Sequence, residues 1–225
     1  MHPSPPLWSN RQQAGRELVQ RFLANPPAPQ SLLLALPRGG VPVAAALARA
    51  LELPLATWAV RKVADPAQPE VAVGAVAGGG VAVWRDGAGG RWAEAARRGG
   101  WLEEEQQELA RRQRRFGDPA PEQLRGRPLI VVDDGIATGM TVLAALQSLR
   151  ALEPASLTLA VPVVDRQAAG GLRPWLDRLE ALAVVDELVA VGLWYSRFEQ
   201  LSDAEVLALL QPFREAAMRE AQPWA

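Results

Sequence analysis

Short apolar runs at residues 32–36, 129–132 and 157–163, broken only by Thr158, stand between longer stretches whose apolar positions recur at helical spacing. Runs of that kind suit strands covered on both faces. The pattern predicts strands at 32–36 and 55–63 around a helix at 41–51. It then predicts strands at 129–132, 157–163 and 184–189, separated by helices at 142–152 and 167–179. Strands alternating with helices in this order define an α/β fold with a mostly parallel central sheet flanked by helices.

The flanking segments carry local signals. Ser9 and Gln12 read as a capping box for a first helix over 9–23, with Ala14, Leu18 and Phe22 on one face. Asn25-Pro26-Pro27-Ala28-Pro29 stops it. Ser202 and Glu205 form the same pattern at the start of the last helix. A charged helix over 102–116 places Glu103, Glu104, Glu105 and Glu108 ahead of Arg111, Arg112, Arg114 and Arg115, an order that suits the helix dipole and permits a Glu108–Arg112 pair. Over 64–100 the pattern weakens, and β-like stretches at 71–76 and 80–84 read as a β-hairpin with mobile glycine-rich flanks.

Composition narrows the chemistry. The chain of 225 residues contains no cysteine, which excludes disulfides, thiolate metal sites and cysteine nucleophiles. Lys+Arg number 24 against 25 Asp+Glu, a balance that speaks against a large surface for nucleic acid. No apolar run reaches the roughly 20 residues of a membrane helix, and His2 with its neighbouring prolines does not resemble a signal peptide. The expectation is a soluble, cytoplasmic protein.

The densest chemical signal is Asp133-Asp134-Gly135-Ile136-Ala137-Thr138-Gly139-Met140-Thr141, directly after the 129–132 strand. Adjacent carboxylates at a sheet edge repel one another unless hydroxyls, amides or a cation compensate them. The glycine and threonine turn that follows can aim amides and hydroxyls at an anion where the next helix begins. Acids that grip vicinal hydroxyls and a cup that grips a phosphate together suit a sugar phosphate. Other phosphorylated ligands satisfy the same spacing, as does an acidic cap on an ordinary glycine turn.

Residues 129–141 resemble the phosphoribosyl pyrophosphate signature of type I phosphoribosyltransferases, departing from it at Gly135, where many members carry a branched apolar residue. The resemblance runs from about residue 7 to 210 and is closest to a bacterial group of predicted phosphoribosyltransferases. It rests also on Leu36-Pro37-Arg38-Gly39-Gly40-Val41-Pro42-Val43-Ala44, Val60-Arg61-Lys62, Pro69-Glu70-Val71-Ala72-Val73-Gly74-Ala75-Val76 and Val191-Gly192-Leu193-Trp194-Tyr195.

The resemblance implies a core domain over 28–190 that includes a flexible catalytic loop at about 64–100. Segments 7–27 and 191–221 would pack on that core as a small hood and terminal helices. It implies a Mg²⁺-dependent transfer of the 5-phosphoribosyl group from phosphoribosyl pyrophosphate to a nitrogenous base, and a homodimer. Arg38, Gly39 and Gly40 would form the pyrophosphate loop, often through a cis non-proline peptide. Asp133 and Asp134 would hold the ribose and the metal, and Gly135, Ile136, Ala137, Thr138, Gly139, Met140 and Thr141 would hold the phosphate. Arg61 and Lys62 resemble the cationic pair beside the pyrophosphate; neighbours on a strand point to opposite faces, so only one faces the ligand unless the strand bends, and Lys62 is preferred. Glu70 is the acid to test in the loop. Trp194, Tyr195 and Phe198 either stack on the acceptor or anchor the tail. Rival readings are a non-catalytic sugar-phosphate-binding regulator and a phosphotransferase using Asp133 as nucleophile. Dinucleotide binding is weaker, since the first loop lacks the G-x-G-x-x-G order.

Overall fold

The computed structural model describes residues 6–87 and 90–221. The chain enters through α1 (Arg11–Leu18) and α2 (Gln20–Leu23), then lays down β1 (Leu32–Ala35), α3 (Gly40–Leu51) and β2 (Leu55–Thr57). It leaves the main sheet for β3 (Val60–Asp65), β4 (Gln68–Ala77) and β5 (Ala82–Trp84), followed by α4 (Arg91–Arg98) and α5 (Trp101–Phe116). It returns with β6 (Pro128–Val132), α6 (Met140–Arg150), β7 (Ser156–Asp165), α7 (Arg166–Leu172) and β8 (Arg178–Val185), and α8 (Asp203–Ala221) follows. The main sheet is parallel, in the order β2-β1-β6-β7-β8, while β3-β4-β5 form a separate antiparallel sheet.

Both faces of the main sheet are buried, as its apolar runs require. Side chains alternate across a strand, so Leu32, Leu34, Leu129 and Val131 meet Leu146 and Leu149 of α6. On the other face Leu33, Ala35, Ile130 and Val132 meet Val43 and Leu47 of α3 and Val206 of α8. Alanine on α3 lets that helix lie close to the sheet: Ala44, Ala45 and Ala48 are essentially inaccessible.

Several expected boundaries move. Asn10, and not Ser9, caps α1, accepting from the Gln13 amide at 2.9 Å, while the Gln13 side chain reaches back to the Ser9 amide at 2.7 Å. The strand expected at 55–63 is two strands in two sheets. Trp58, which turns its indole N–H onto Ser148 Oγ at 2.9 Å, divides them. The expected hairpin gains a third strand and the helix α4. The helix expected over 167–179 stops at Leu172, and 178–185 is the edge strand β8, so the strand placed at 184–189 begins earlier. Two local signals hold: Arg112 meets Glu108 at 2.9 Å, and Ser202 and Glu205 exchange reciprocal hydrogen bonds.

The break between the two sheets is fastened by Asp118, just past α5. Its carboxylate accepts from Thr57 Oγ1 and from the Ala59 amide, each at 2.7 Å. Burial pushes this carboxyl up to about 6, against the two hydrogen bonds that favour its charge. A carboxyl raised on folding binds a proton more tightly in the native state, so it adds stability as pH falls through 6 towards its ordinary value. Wild type should therefore gain stability relative to Asp118→Asn between about pH 7 and pH 4, by at most about 3 kcal/mol. Denaturant unfolding of both proteins across that range measures the difference, and a pH-independent difference would contradict the assignment.

Candidate active site

The site forms where β1 and β6 end side by side. Leu36 donates its amide to Val132 O at 2.9 Å, which sets the loop after β1 against the acids after β6. The peptide joining Pro37 to Arg38 is cis. Gly39 and Gly40 lie so close to the neighbouring strand end that a Cβ would collide, at Gly39 with Asp134 Oδ2 and at Gly40 with Val132 O. These glycines are thus required by the approach of two loops, independently of any ligand.

Asp133 turns Oδ1 back to accept from the Asp134 amide at 2.9 Å. Burial first, and then the charge of Asp134, hold its carboxyl well above the usual carboxylate range. Asp134 is also raised by burial, but Arg11 opposes the shift. Arg11 Nε donates to Asp134 Oδ2 at 2.7 Å, with the two side chains 11% and 14% exposed. That ion pair is the principal feature missing from the sequence reading. Arg11 lies 123 positions away and looks like one more polar residue on an amphipathic helix.

The Arg11 guanidinium is itself built in. It lies 3.7 Å from the centre of the Phe198 ring and donates to Glu199 O at 3.0 Å. Phe198 stacks on Tyr195 at 5.0 Å, and Tyr195 donates its hydroxyl to Asp134 O at 2.6 Å. Burial, followed by the Asp134 charge, drives the Tyr195 hydroxyl far above its ordinary pKa, so it remains a donor. Trp8 packs on Trp194 and Tyr195 and shares a backbone bridge with Tyr195, so both terminal segments meet at the site. Trp194, 5% exposed, is a tail anchor, whereas Phe198 lines the cleft.

That cleft, of about 430 Å³, brings Arg11, Arg38, Arg61 and Arg112 around Asp134. Of the adjacent cations, Arg61 faces it, paired with Glu105 at 2.7 Å, and Lys62 is exposed and donates to Pro69 O at 3.2 Å. Alternation along β3 gives the cleft only one of the two, and here it is Arg61 and not Lys62, the residue preferred on the sequence. Glu70 belongs to β4, and its side chain lies outside the described residues.

Ala137, Thr138, Gly139 and Met140 line a second cavity of about 550 Å³. Gly139, with φ of 75°, caps α6 and accepts from the Leu143 amide at 2.8 Å. Ile136 is buried and tied to β7, its amide donating to Val163 O at 2.9 Å. Gly135 lies against Val191, where a Cβ would collide, so the departure from the usual branched residue fits the tail folded over it. Thr141 is partly buried in the first turn of α6.

A parallel sheet with paired acids and a glycine turn at its carboxyl edge puts a candidate ligand site where open α/β sheets bind their ligands. Residues 8–180 match the phosphoribosyl transferase domain family, and the chain belongs to it. It is 41% identical over 208 residues to Rv0571c of Mycobacterium tuberculosis, whose name assigns it provisionally to the phosphoribosyl transferases. The match covers 91% of this chain but 46% of that protein, so the chain spans about half the length of that relative. The crystal structure of TT1426 from Thermus thermophilus is 33% identical and superposes with a TM-score of 0.69, covering 92% of this chain and 98% of the other. A Neisseria gonorrhoeae protein crystallised with ppGpp, 16% identical with a TM-score of 0.51 over 92% of this chain and 96% of that one, shares the fold.

Because Arg11 lowers the Asp134 pKa against burial, Arg11→Gln should shift the Asp134 titration to higher pH. Carbon-detected NMR of the carboxyl reads this directly. Identical titrations in the two proteins would show that the pair carries no electrostatic weight.

Proposed function

We propose that this chain is a phosphoribosyltransferase that transfers the 5-phosphoribosyl group from phosphoribosyl pyrophosphate to a nitrogenous base. The observation that carries this reading is the joining of Asp134, the Arg38–Gly39–Gly40 loop and the arginine cleft on one side of the β6 end, with the Thr138–Gly139 turn on the other. A donor with a diphosphate at one end, a monophosphate at the other and a dihydroxylated ring between them matches that order.

In this reading a ring nitrogen of the base uses its lone pair to form the bond to the anomeric carbon. The bond to the pyrophosphate oxygen breaks with its electrons, and the nitrogen then loses its proton. Asp133 and Asp134 accept hydrogen bonds from the ribose hydroxyls and hold the ring while positive charge develops on it. Arg38 and Arg61 face the departing diphosphate with guanidinium forks suited to its oxygens. Positioning and charge compensation carry the rate, and no covalent protein intermediate is needed.

Mg²⁺ is compatible with the donors present. Among the described residues no group of three or more His, Cys, Asp or Glu could hold a metal, which speaks against a cage made by protein alone. Magnesium ordinarily takes one or two carboxylates and completes its shell with substrate phosphate and water. Asp133 and Asp134 are the residues that would hold it, and it would supply charge compensation to the diphosphate.

A regulator that binds the sugar phosphate without turnover is the reading to separate from this one. Purified protein supplied with Mg²⁺, phosphoribosyl pyrophosphate and single purine, pyrimidine or pyridine acceptors should release pyrophosphate and form a nucleoside monophosphate detectable by mass. Donor binding without product across all acceptors would favour the regulator. In the enzyme, Asp133→Asn with Asp134→Asn should lower turnover by roughly 10²–10³ or more while the melting temperature stays near that of wild type. Full turnover in the folded double variant would refute the assignment of the acids.

A further inference from the structure

The arginines around Asp134 all have acidic partners: Arg11 has Asp134, Arg38 has Asp203, Arg61 has Glu105 and Arg112 has Glu108. Arg85, at the end of β5, differs. Its side chain is exposed, and no ion pair or side-chain hydrogen bond engages it among the described residues. Its backbone is nevertheless well held. The Arg85 amide donates to Val73 O at 2.9 Å, the next turn closes with Gly87 N on Trp84 O at 3.1 Å, and Trp84 is 8% exposed.

Arg85 lines the 550 Å³ cavity together with Val83 and Trp84, and the Thr138–Gly139–Met140 turn lines the same space. The charge balance there is informative. The other ionisable residues lining it are Asp165 and Glu187, both acids. Asp165 is structural, accepting from the amides of Gln167, Ala168 and Leu188 at 2.8, 3.1 and 3.1 Å. Its charge nevertheless remains near any anion seated on the turn. Helix-end amides and threonine hydroxyls compensate part of a phosphate dianion. Arg85 is the sole cation lining this cavity among the described residues, and it comes from the antiparallel sheet, not from the core.

We infer that Arg85 is a donor-binding residue, pairing with the monophosphate seated on the Thr138–Gly139 turn and so tying the antiparallel sheet to the loaded site. This rests on the proposed function, which requires a sugar monophosphate at that turn. A guanidinium fork matches phosphate oxygens, and an unpaired arginine on a fixed backbone gains its counter-charge only when the ligand arrives.

Calorimetric titration with ribose 5-phosphate tests it on wild type, Arg85→Gln and Arg85→Lys, with melting temperatures recorded for all three. Arg85→Gln should weaken binding by roughly 10- to 100-fold, the loss expected for a hydrogen bond to a charged group, and Arg85→Lys should recover part of it. Equal affinity in wild type and Arg85→Gln would overturn the role of Arg85 and leave the proposed function standing. Equal losses in both folded variants would uphold the contact and assign it to the guanidinium fork, which a lysine does not reproduce. A wild type that binds no ribose 5-phosphate would overturn the proposed function along with it.

Discussion

Two carboxylates on consecutive residues, partly withdrawn from water at the end of a buried strand, impose the main constraint on this molecule. Each makes the other harder to ionise, and burial makes both harder still. The surroundings answer with a guanidinium on Asp134, a phenol on its carbonyl and an amide on Asp133. Since Arg11 comes from the first helix and Tyr195 from the segment after β8, both ends of the chain are drawn to the centre. Trp8 and Trp194 pack together beside Tyr195, and Phe198 carries the Arg11 guanidinium on its ring.

The same constraint separates the ligand-facing space into two cavities of different character. Around Asp134 the lining is rich in arginine, each with an acidic partner. Near the turn after Gly135 it is more apolar, with backbone amides and a threonine hydroxyl beside Arg85, Asp165 and Glu187. The donor proposed above, with unlike phosphate groups at its two ends, would use both. The antiparallel sheet and its helices border both cavities, through Arg61 and Arg112 on one side and Val83 to Arg85 on the other. Asp118 fastens the crossing between the sheets, so the inserted region is anchored at the place where it leaves the core.

Much of the site was legible because its chemistry is contiguous. Asp133 to Thr141 and Pro37 to Gly40 are each a single loop after a strand, and a loop's backbone groups and side chains act at the place where the chain puts them. What escaped depended on unlike segments meeting. Arg11 gave no signal beyond ordinary helix surface, Arg112 could not be told from the other arginines of its charged helix, and Phe198 could be placed in either of two roles. Lys62 and Arg61 could be separated only by knowing which face of β3 meets the cleft.

By itself the sequence determined the alternation of buried strands with helices, the parallel sheet and the loops at its carboxyl edge, because apolar periodicity and glycine placement act over a few residues. Tertiary structure decided the division of 55–63 between two sheets, the early start of β8, the Arg11–Asp134 pair and the aim of Arg61. Each of these turns on which distant groups meet at one buried position, as when Asp118 draws the Thr57 hydroxyl and the Ala59 amide to itself where β2 ends. Burial and pairing across more than a hundred residues leave no period in the chain, so the electrostatics of the site exist only once it has folded.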